Sequence, residues 1–247
     1  ELWSTINTNI LLGPILRNQN SVEWPTLFMI AVCYLIWCAG TTIVAQVWLP
    51  AGMIVVVLAS ALHSSLQHEV IHGHPVQSRN LAEALVFPAL TIFIPYLRFR
   101  ELHIAHHHNE ILTDPYDDPE SNYLEPDVWA RLPRAAKMLL GINNTMLGRL
   151  LVGPAIAQVT FMMSEYRAMR AGDAKVAFGW LMHIPAVAVV IAWLWLFADM
   201  PIWAYLITAY LAISVLKIRT FLEHKACEDV QGRSVIIEDR GPLALIF

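Results

Sequence analysis

The sequence predicts an all-α integral membrane protein in a single domain, residues 1–247, built from two transmembrane helical hairpins and a cytoplasmic helical cap. Of its 247 residues, 57% are hydrophobic and only 15% are charged, whereas soluble domains carry about 25% charged residues. The hydrophobic residues gather in four runs that suit helices in a bilayer. The two turns that divide these runs into hairpins contain no lysine or arginine. Together these observations predict four crossings.

The first hairpin is predicted from residues 26–49 and 53–67. The first run has no charged residue, and at about 1.5 Å per residue it can cross a hydrocarbon layer of about 30 Å. Residues 50–52 (Pro-Ala-Gly) are expected to form the turn. Because the second run leads directly into His68 and His72, these histidines are expected at the membrane surface from which the chain entered.

The second hairpin is predicted from residues 177–198 and 202–217, with its turn at residues 199–201. In this layout all sixteen basic residues fall on the side of the membrane that carries the histidines. Since lysine and arginine concentrate on the cytoplasmic side of membrane proteins, we expect the histidines to face the cytoplasm.

The predicted cap comprises residues 68–175 and 218–247. Within it, residues 76–100 are interrupted by two prolines and are expected to lie on the surface or to be partly embedded. Residues 127–175 mix basic and apolar residues, a pattern typical of amphipathic helices at a membrane interface. The cap is therefore expected to hold the polar chemistry of the protein.

Eight of the ten histidines lie in two short clusters, within HSSLQHEVIHGHP from residue 63 and RELHIAHHHNE from residue 100. Residues three and four apart share one face of a helix, so His68 and His72 can point at one metal ion. By the same rule His103, His106 and His107 form a second stripe. Imidazole suits zinc, copper, iron and nickel. Five converging histidines exceed the four ligands of a zinc site and favour two metal ions.

The two outer histidines of the first cluster, His63 and His74, are further candidate ligands. His63 lies five residues before His68, where it fits either the lining of the site or a contact behind a ligand. His74 stands between Gly73 and Pro75, where it fits either a ligand or a turn residue. The sequence leaves both interpretations open.

Two alternative functions use the same histidines. Residues 68–72 read HExxH, the signature of a zinc peptidase in which Glu69 would be the general base. A single catalytic zinc, however, gives the histidines at 103–108 no role. A metal-ion transporter would place polar ligands near the middle of the membrane, whereas these clusters fall at the ends of the predicted helices. We rank both alternatives below a centre of two metal ions.

Three motifs resemble a known family, the membrane fatty acid desaturases and related lipid hydroxylases. They are HEVIHGH at 68–74, HIAHHH at 103–108 with LTDPYDDPES behind it, and RTFLEH at 219–224. The resemblance covers nearly the whole chain from about residue 26 and includes the layout of two hairpins. The family carries a third histidine box, HxxHH, which does not occur before Phe247. We expect this box to follow Phe247 in a longer protein.

The resemblance implies two non-haem iron ions that use O₂ to oxidise an unactivated C–H bond of a lipid chain, by desaturation or by hydroxylation. Carried over by position, the implied iron ligands are His68, His72, His103, His106, His107 and His224, with His63 and His74 as further candidates. Carboxylates that the resemblance places behind the ligands, where they would orient the imidazoles, are Glu69, Asp114, Asp117, Asp118 and Glu223.

The electrons for such a reaction are expected from outside the chain, since the sequence holds no haem-attachment motif, no cysteine set for an iron–sulfur cluster and no GxGxxG loop. A ferredoxin or a cytochrome b5 with its reductase is the implied donor. The basic residues of 131–175 fit either docking of an acidic carrier or contact with anionic headgroups. The small net charge of -4 argues against a nucleic-acid partner.

Overall fold

A computed structural model describes residues 22–108 and 124–223, with the side chains of residues 106–108 and 218–223 left undescribed. The described residues form helices joined by turns and by one longer irregular segment, without a strand among them. The chain is thus all-α over this range, as predicted.

The first hairpin consists of α1 (Trp24–Ala39) and α2 (Leu49–Ile71). A π-helical turn (Gly40–Val44) and a last helical turn (Ala45–Val47) extend α1. One residue with extended backbone, Trp48, then separates the two helices.

The predicted turn at residues 50–52 is corrected by this geometry, because α2 begins at Leu49 and Pro50 lies in its first turn. Proline is tolerated there, since the N–H that it lacks would have no acceptor within the helix. The second crossing is accordingly longer than the predicted 53–67.

Two short helices follow α2 on the side of the histidines. Helix α3 (Arg79–Leu85) is capped by the preceding Ser78, whose hydroxyl accepts a hydrogen bond from the backbone N–H of Leu81. Helix α4 (Tyr96–His108) carries the second histidine cluster. Between them, residues 86–95 lack helical structure, yet Leu90 is buried among side chains of both hairpins.

Buried irregular backbone needs hydrogen-bond partners from the protein, since lipid supplies none. Five carbonyls in or next to this segment each accept a hydrogen bond from a side chain of another helix, at 2.7–3.0 Å: Leu85 from Tyr34, Val86 from Gln67, Leu90 from Tyr205, Ile92 from His183 and Phe93 from Gln158. The segment expected to be partly embedded is thereby held inside the helix bundle.

Where the description resumes at residue 124, four helices lead to the second hairpin: α5 (Pro126–Arg131), α6 (Arg134–Asn143), α7 (Met146–Leu151) and α8 (Gly153–Arg170). The hairpin itself is α9 (Ala174–Leu196) and α10 (Ile202–Glu223). Helix α9 starts before the predicted residue 177 because the Asp173 carboxylate accepts hydrogen bonds from the N–H groups of Lys175 and Val176, which is a helix-initiating contact.

Within the described ranges, three helical segments are long and apolar enough to cross a membrane: Trp24–Val47, Leu49–Ile71 and Ala174–Leu196. Helix α10 is apolar over the shorter range Ile202–Lys217. The fourth predicted crossing, on α10, therefore remains a prediction.

The turns of the two hairpins lie at the same end of the bundle. The backbone N–H groups of Asp199 and Met200 both donate to the carbonyl of Thr41 at 3.0 Å. The Thr41 hydroxyl also accepts a hydrogen bond from Trp193 at 3.0 Å. The first histidines lie at the opposite end of α2, about 30 Å away for a helix of this length.

Candidate metal centre

Three histidines from two helices meet at the end of the bundle away from the hairpin turns. His68 and His72 lie one helical turn apart at the end of α2, and His103 approaches from α4. One ring nitrogen of each lies within 4.8 Å of the other two. The closest pair is Nε2 of His72 and Nε2 of His103, which are 3.3 Å apart.

The three rings differ in exposure. His103 is buried, His68 is half-buried and His72 is exposed, so the cluster opens to its surroundings beside His72. Partial burial lowers the pKa of His72, and the neighbouring His68 and His103 lower it further. A lowered pKa favours the neutral imidazole, which is the form that binds metal ions.

The arrangement fits a bound metal ion on two observations. Two nitrogens that each lie about 2 Å from one tetrahedral ion are about 3.3 Å apart, which is the separation of the His72 and His103 Nε2 atoms. In addition, Nδ1 of His68 is buried without a hydrogen-bond partner among the described residues. A buried ring nitrogen without a partner is costly unless something binds it.

Comparison with protein families gives a match along most of the chain. A model of the fatty acid desaturase family matches residues 43–242, a range that includes all three histidines of the cluster. The chain belongs to the fatty acid desaturase family. The predicted family is therefore confirmed. No curated protein and no solved structure matches the chain.

Membership in the fatty acid desaturase family implies an oxidoreductase that works in a membrane and acts on a lipid. The three apolar helical segments agree with a membrane protein. The family is typically di-iron, and the cluster of His68, His72 and His103 offers imidazole ligands of a suitable kind.

His63 and His74 lie outside this cluster and contact other partners. The Tyr34 hydroxyl donates to the carbonyl of Leu85 at 2.9 Å. It therefore accepts from Nε2 of His63, at 3.1 Å. Nδ1 of His74 lies 2.6 Å from a carboxylate oxygen of Glu23. Both histidines thus hold segments of the desaturase fold together.

The predicted carboxylates are placed only in part. Glu69 is half-exposed, and its Oε1 lies 3.7 Å from Nδ1 of His68, which is too long for a hydrogen bond. Glu223 ends α10, and His106 and His107 lie on α4, but their side chains are not described. Outside the described residues lie Asp114, Asp117, Asp118 and His224.

A buried ion pair beside the site was not predicted. Arg98 lies on α4, five residues before His103, and its guanidinium contacts both carboxylate oxygens of Glu165 on α8, at 2.6 and 2.9 Å. Trp180 on α9 donates to the same carboxylate at 3.0 Å, and Glu101 also binds the guanidinium. The hydrogen bonds to Glu165 raise the pKa of Arg98 above its ordinary value. Together these contacts connect α4, which carries His103, to α8 and α9.

One signal in the sequence could have revealed this pair. Glu165 is the only acidic residue between positions 128 and 172. A lone carboxylate in a long stretch of apolar and basic residues is expected either at the surface or with a buried cationic partner. The sequence gives no way to choose Arg98 as that partner, because 67 residues separate the two.

An apolar groove of about 560 Å³ lies between α8 and α9, over the irregular segment before α4. Its lining includes Ile92, Phe93, Met162, Ile184 and Ile191. His183 and Gln158 also line it, but both side chains donate into the protein, to the carbonyls of the irregular segment. The groove therefore presents mainly hydrocarbon, a surface suited to a lipid chain.

Proposed function

We propose that this protein uses a His-ligated di-iron centre and O₂ to oxidise an unactivated C–H bond in a fatty acyl or similar lipid chain. The observation that carries the proposal is the meeting of His68, His72 and His103 within a match to the fatty acid desaturase family. The product is an alkene if hydrogen is removed from two neighbouring carbons, and an alcohol if oxygen is inserted at one.

The proposed ligands come from three parts of the chain. His68, His72 and His103 would hold one iron ion. His106 and His107, on the same helix as His103, and His224, just past α10, would provide ligands for the other. Bound iron supplies the activation of O₂ and the removal of hydrogen, which amino-acid side chains cannot perform alone.

The remaining residues would orient and shield the site. Burial of His103 keeps one side of the cluster away from water, which protects a reactive centre from side reactions. Glu69 neighbours the ring of His68 and is proposed to help fix the orientation of that ring. Asp114, Asp118 and Glu223 are proposed for the same role at the other histidines.

Electrons for the reaction are proposed to come from a separate ferredoxin or cytochrome b5 with its reductase, on the cytoplasmic side of the membrane. The exposed ring of His72 lies at the open side of the cluster. That side is therefore the natural approach for an electron carrier. The apolar groove between α8 and α9 supports a substrate with a long hydrocarbon chain.

Elemental analysis of the purified full-length protein tests the proposal. We expect about two iron ions per chain and negligible zinc. His72→Ala and His103→Ala should each lose at least about half of the iron, because each removes one imidazole from the cluster. His74→Ala is the matched control: it removes a histidine near His72 that bonds Glu23 instead, so its iron content should stay unchanged.

One zinc ion per chain with negligible iron would contradict the proposal and favour the HExxH peptidase. Glu69→Gln then separates the two chemistries. A peptidase that uses Glu69 as its general base would lose essentially all activity. A di-iron oxidase would keep its iron and part of its activity, since Glu69 would only orient His68. Circular dichroism of each variant shows whether the helices remain folded.

A further inference from the structure

The stretch from residue 128 to residue 164 carries four basic residues and no acidic residue. Three of the basic residues come early in it, at Arg131, Arg134 and Lys137. Among the described residues, no carboxylate forms an ion pair with any of these three. The Lys137 ammonium donates to the carbonyl of Ala130 at 2.8 Å, which leaves its charge in place. The described part of the protein therefore leaves this positive charge without a counterion.

Helix α6 within this stretch presents three distinct faces. At about 100° per residue, Met138, Leu139 and Ile142 fall on one face, where they are 67%, 43% and 46% exposed. Arg134 and Lys137 form the adjacent face. The third face, which includes Ala136 and Leu140, is half-buried against the protein. An exposed apolar face next to a basic face is the pattern of a helix lying at a membrane surface.

Helix α7 follows α6 in the chain and carries further exposed apolar side chains. Met146 and Leu147 are 71% and 67% exposed. At the end of α7 the carbonyl of Leu151 accepts a hydrogen bond from the hydroxyl of Tyr210 on α10, at 2.5 Å. Tyr210 lies seven residues before Lys217, or about 10 Å along the helix. The chain from α6 to α7 therefore connects the basic residues near the start of α6 to the apolar helix α10.

We propose that α6 and α7 form a membrane-surface anchor that selects anionic lipids, with the apolar face among the acyl chains and the basic face against the headgroups. Charge complementarity argues for this occupant, since negatively charged headgroups supply the counterions that the described protein lacks. The continuity with α10 places the apolar face beside a helix that is itself apolar. The proposal does not depend on the metal centre.

The test uses the full chain in nanodiscs that contain neutral and anionic lipids. A fluorescent label is attached at Met138→Cys, in a background where Cys33, Cys38 and Cys227 are replaced by alanine. Nitroxide-bearing acyl chains, which quench the label on contact, are introduced on the anionic or on the neutral lipid at equal mole fraction. A label at Val189→Cys is the matched control, because Val189 is similarly exposed at 58% but lies on the membrane-spanning helix α9, outside the lining of the apolar groove.

We expect the anionic quencher to be more effective than the neutral one at position 138, by about twofold or more, and equally effective at position 189. The double variant R134Q/K137Q should bring the ratio at position 138 to about one and leave position 189 unchanged. The label at position 189 also shows whether the variant is still inserted in the bilayer.

Two results would overturn the proposal. Equal quenching by both lipids at position 138 would place the helix in the bilayer but remove the preference for anionic lipids. No quenching by either lipid would show that the apolar face lies outside the bilayer. In that case a protein, such as an acidic electron carrier, becomes the better candidate for covering it.

Discussion

At the scale of single residues, Arg98 brings a positive charge into a region from which water is largely excluded. Its side chain is 7% exposed and that of its partner Glu165 is 4% exposed. Removing both charges from water is costly, and the two direct contacts with Glu165 offset that cost only while both partners remain. The pair also fixes the position of α4, because Arg98 lies on that helix and Glu165 lies on α8. His103 follows five residues later on α4, so its placement depends on this contact.

The first prediction concerns this pair. Glu165→Gln should destabilise the protein by about 3–5 kcal/mol, because it leaves the Arg98 charge buried with a weaker partner. The expected readout is a lower midpoint of thermal unfolding in detergent, measured at a fixed scan rate. Arg79→Gln is the control, since Arg79 is 63% exposed and its ion pair with Glu83 is worth less than about 1 kcal/mol. Equal midpoints for the two variants would show that the buried pair does not hold α4 in place.

At the scale of elements, the first hairpin depends on a close approach of its two helices. A Cβ atom on Gly52 would lie 2.8 Å from both the Gly40 carbonyl oxygen and the Ala45 Cα. Both contacts are with backbone, so no side chain can move aside. The π-helical turn in this part of α1 places these backbone atoms against α2. Glycine at position 52 therefore sets the distance between the two helices.

The second prediction follows from this contact. Gly52→Ala should cost about 1–3 kcal/mol by overpacking, and it should lower the thermal midpoint. Gly141→Ala makes the same chemical change on α6, at a position where a Cβ would meet nothing within 4 Å. It should raise stability by about 0.5–1 kcal/mol, since alanine is the better helix former. If Gly52→Ala were as stable as the parent protein, the two helices would be able to move apart without a loss of stability.

At the scale of the whole molecule, the bundle has two chemically different ends. The hairpin turns meet at one end, where Thr41 binds the backbone of Asp199 and Met200. The histidine cluster lies at the other end, on α2 and α4. Because α2 is long enough to span a membrane, the two ends are expected to face opposite sides of the bilayer. The distribution of basic residues then predicts that the cluster is cytoplasmic.

The third prediction tests this orientation in cells, again without the native cysteines. A cysteine at Asp199, which is exposed in the second hairpin turn, should react with a membrane-impermeant maleimide applied from outside. A cysteine at Ala171, exposed in the turn between α8 and α9, should react only after the membrane is permeabilised. Labelling of position 171 but not of position 199 in intact cells would show that the protein has the opposite orientation in the membrane. Reaction of both cysteines in intact cells would contradict the separation of the two ends.

Much of the fold and part of the site could be predicted from the sequence, because they depend on neighbouring residues. The membrane-length segments follow from uninterrupted apolar runs, and the shared face of His68 and His72 follows from the helical repeat. The family follows from motifs that are themselves short and local. Residues 50–52 were misassigned because proline and glycine signal a turn and the first turn of a helix equally well.

Tertiary structure alone decided which of the candidate residues come together. In the folded protein His103 lies beside His72, and Arg98 pairs with Glu165. His63 contacts Tyr34, and His74 contacts Glu23. The sequence could nominate these side chains but could not match them, since the partners are separated by 29 to 67 residues. Helical periodicity specifies the direction of a side chain about its own helix. The meeting of two helices depends on the packing of the whole bundle.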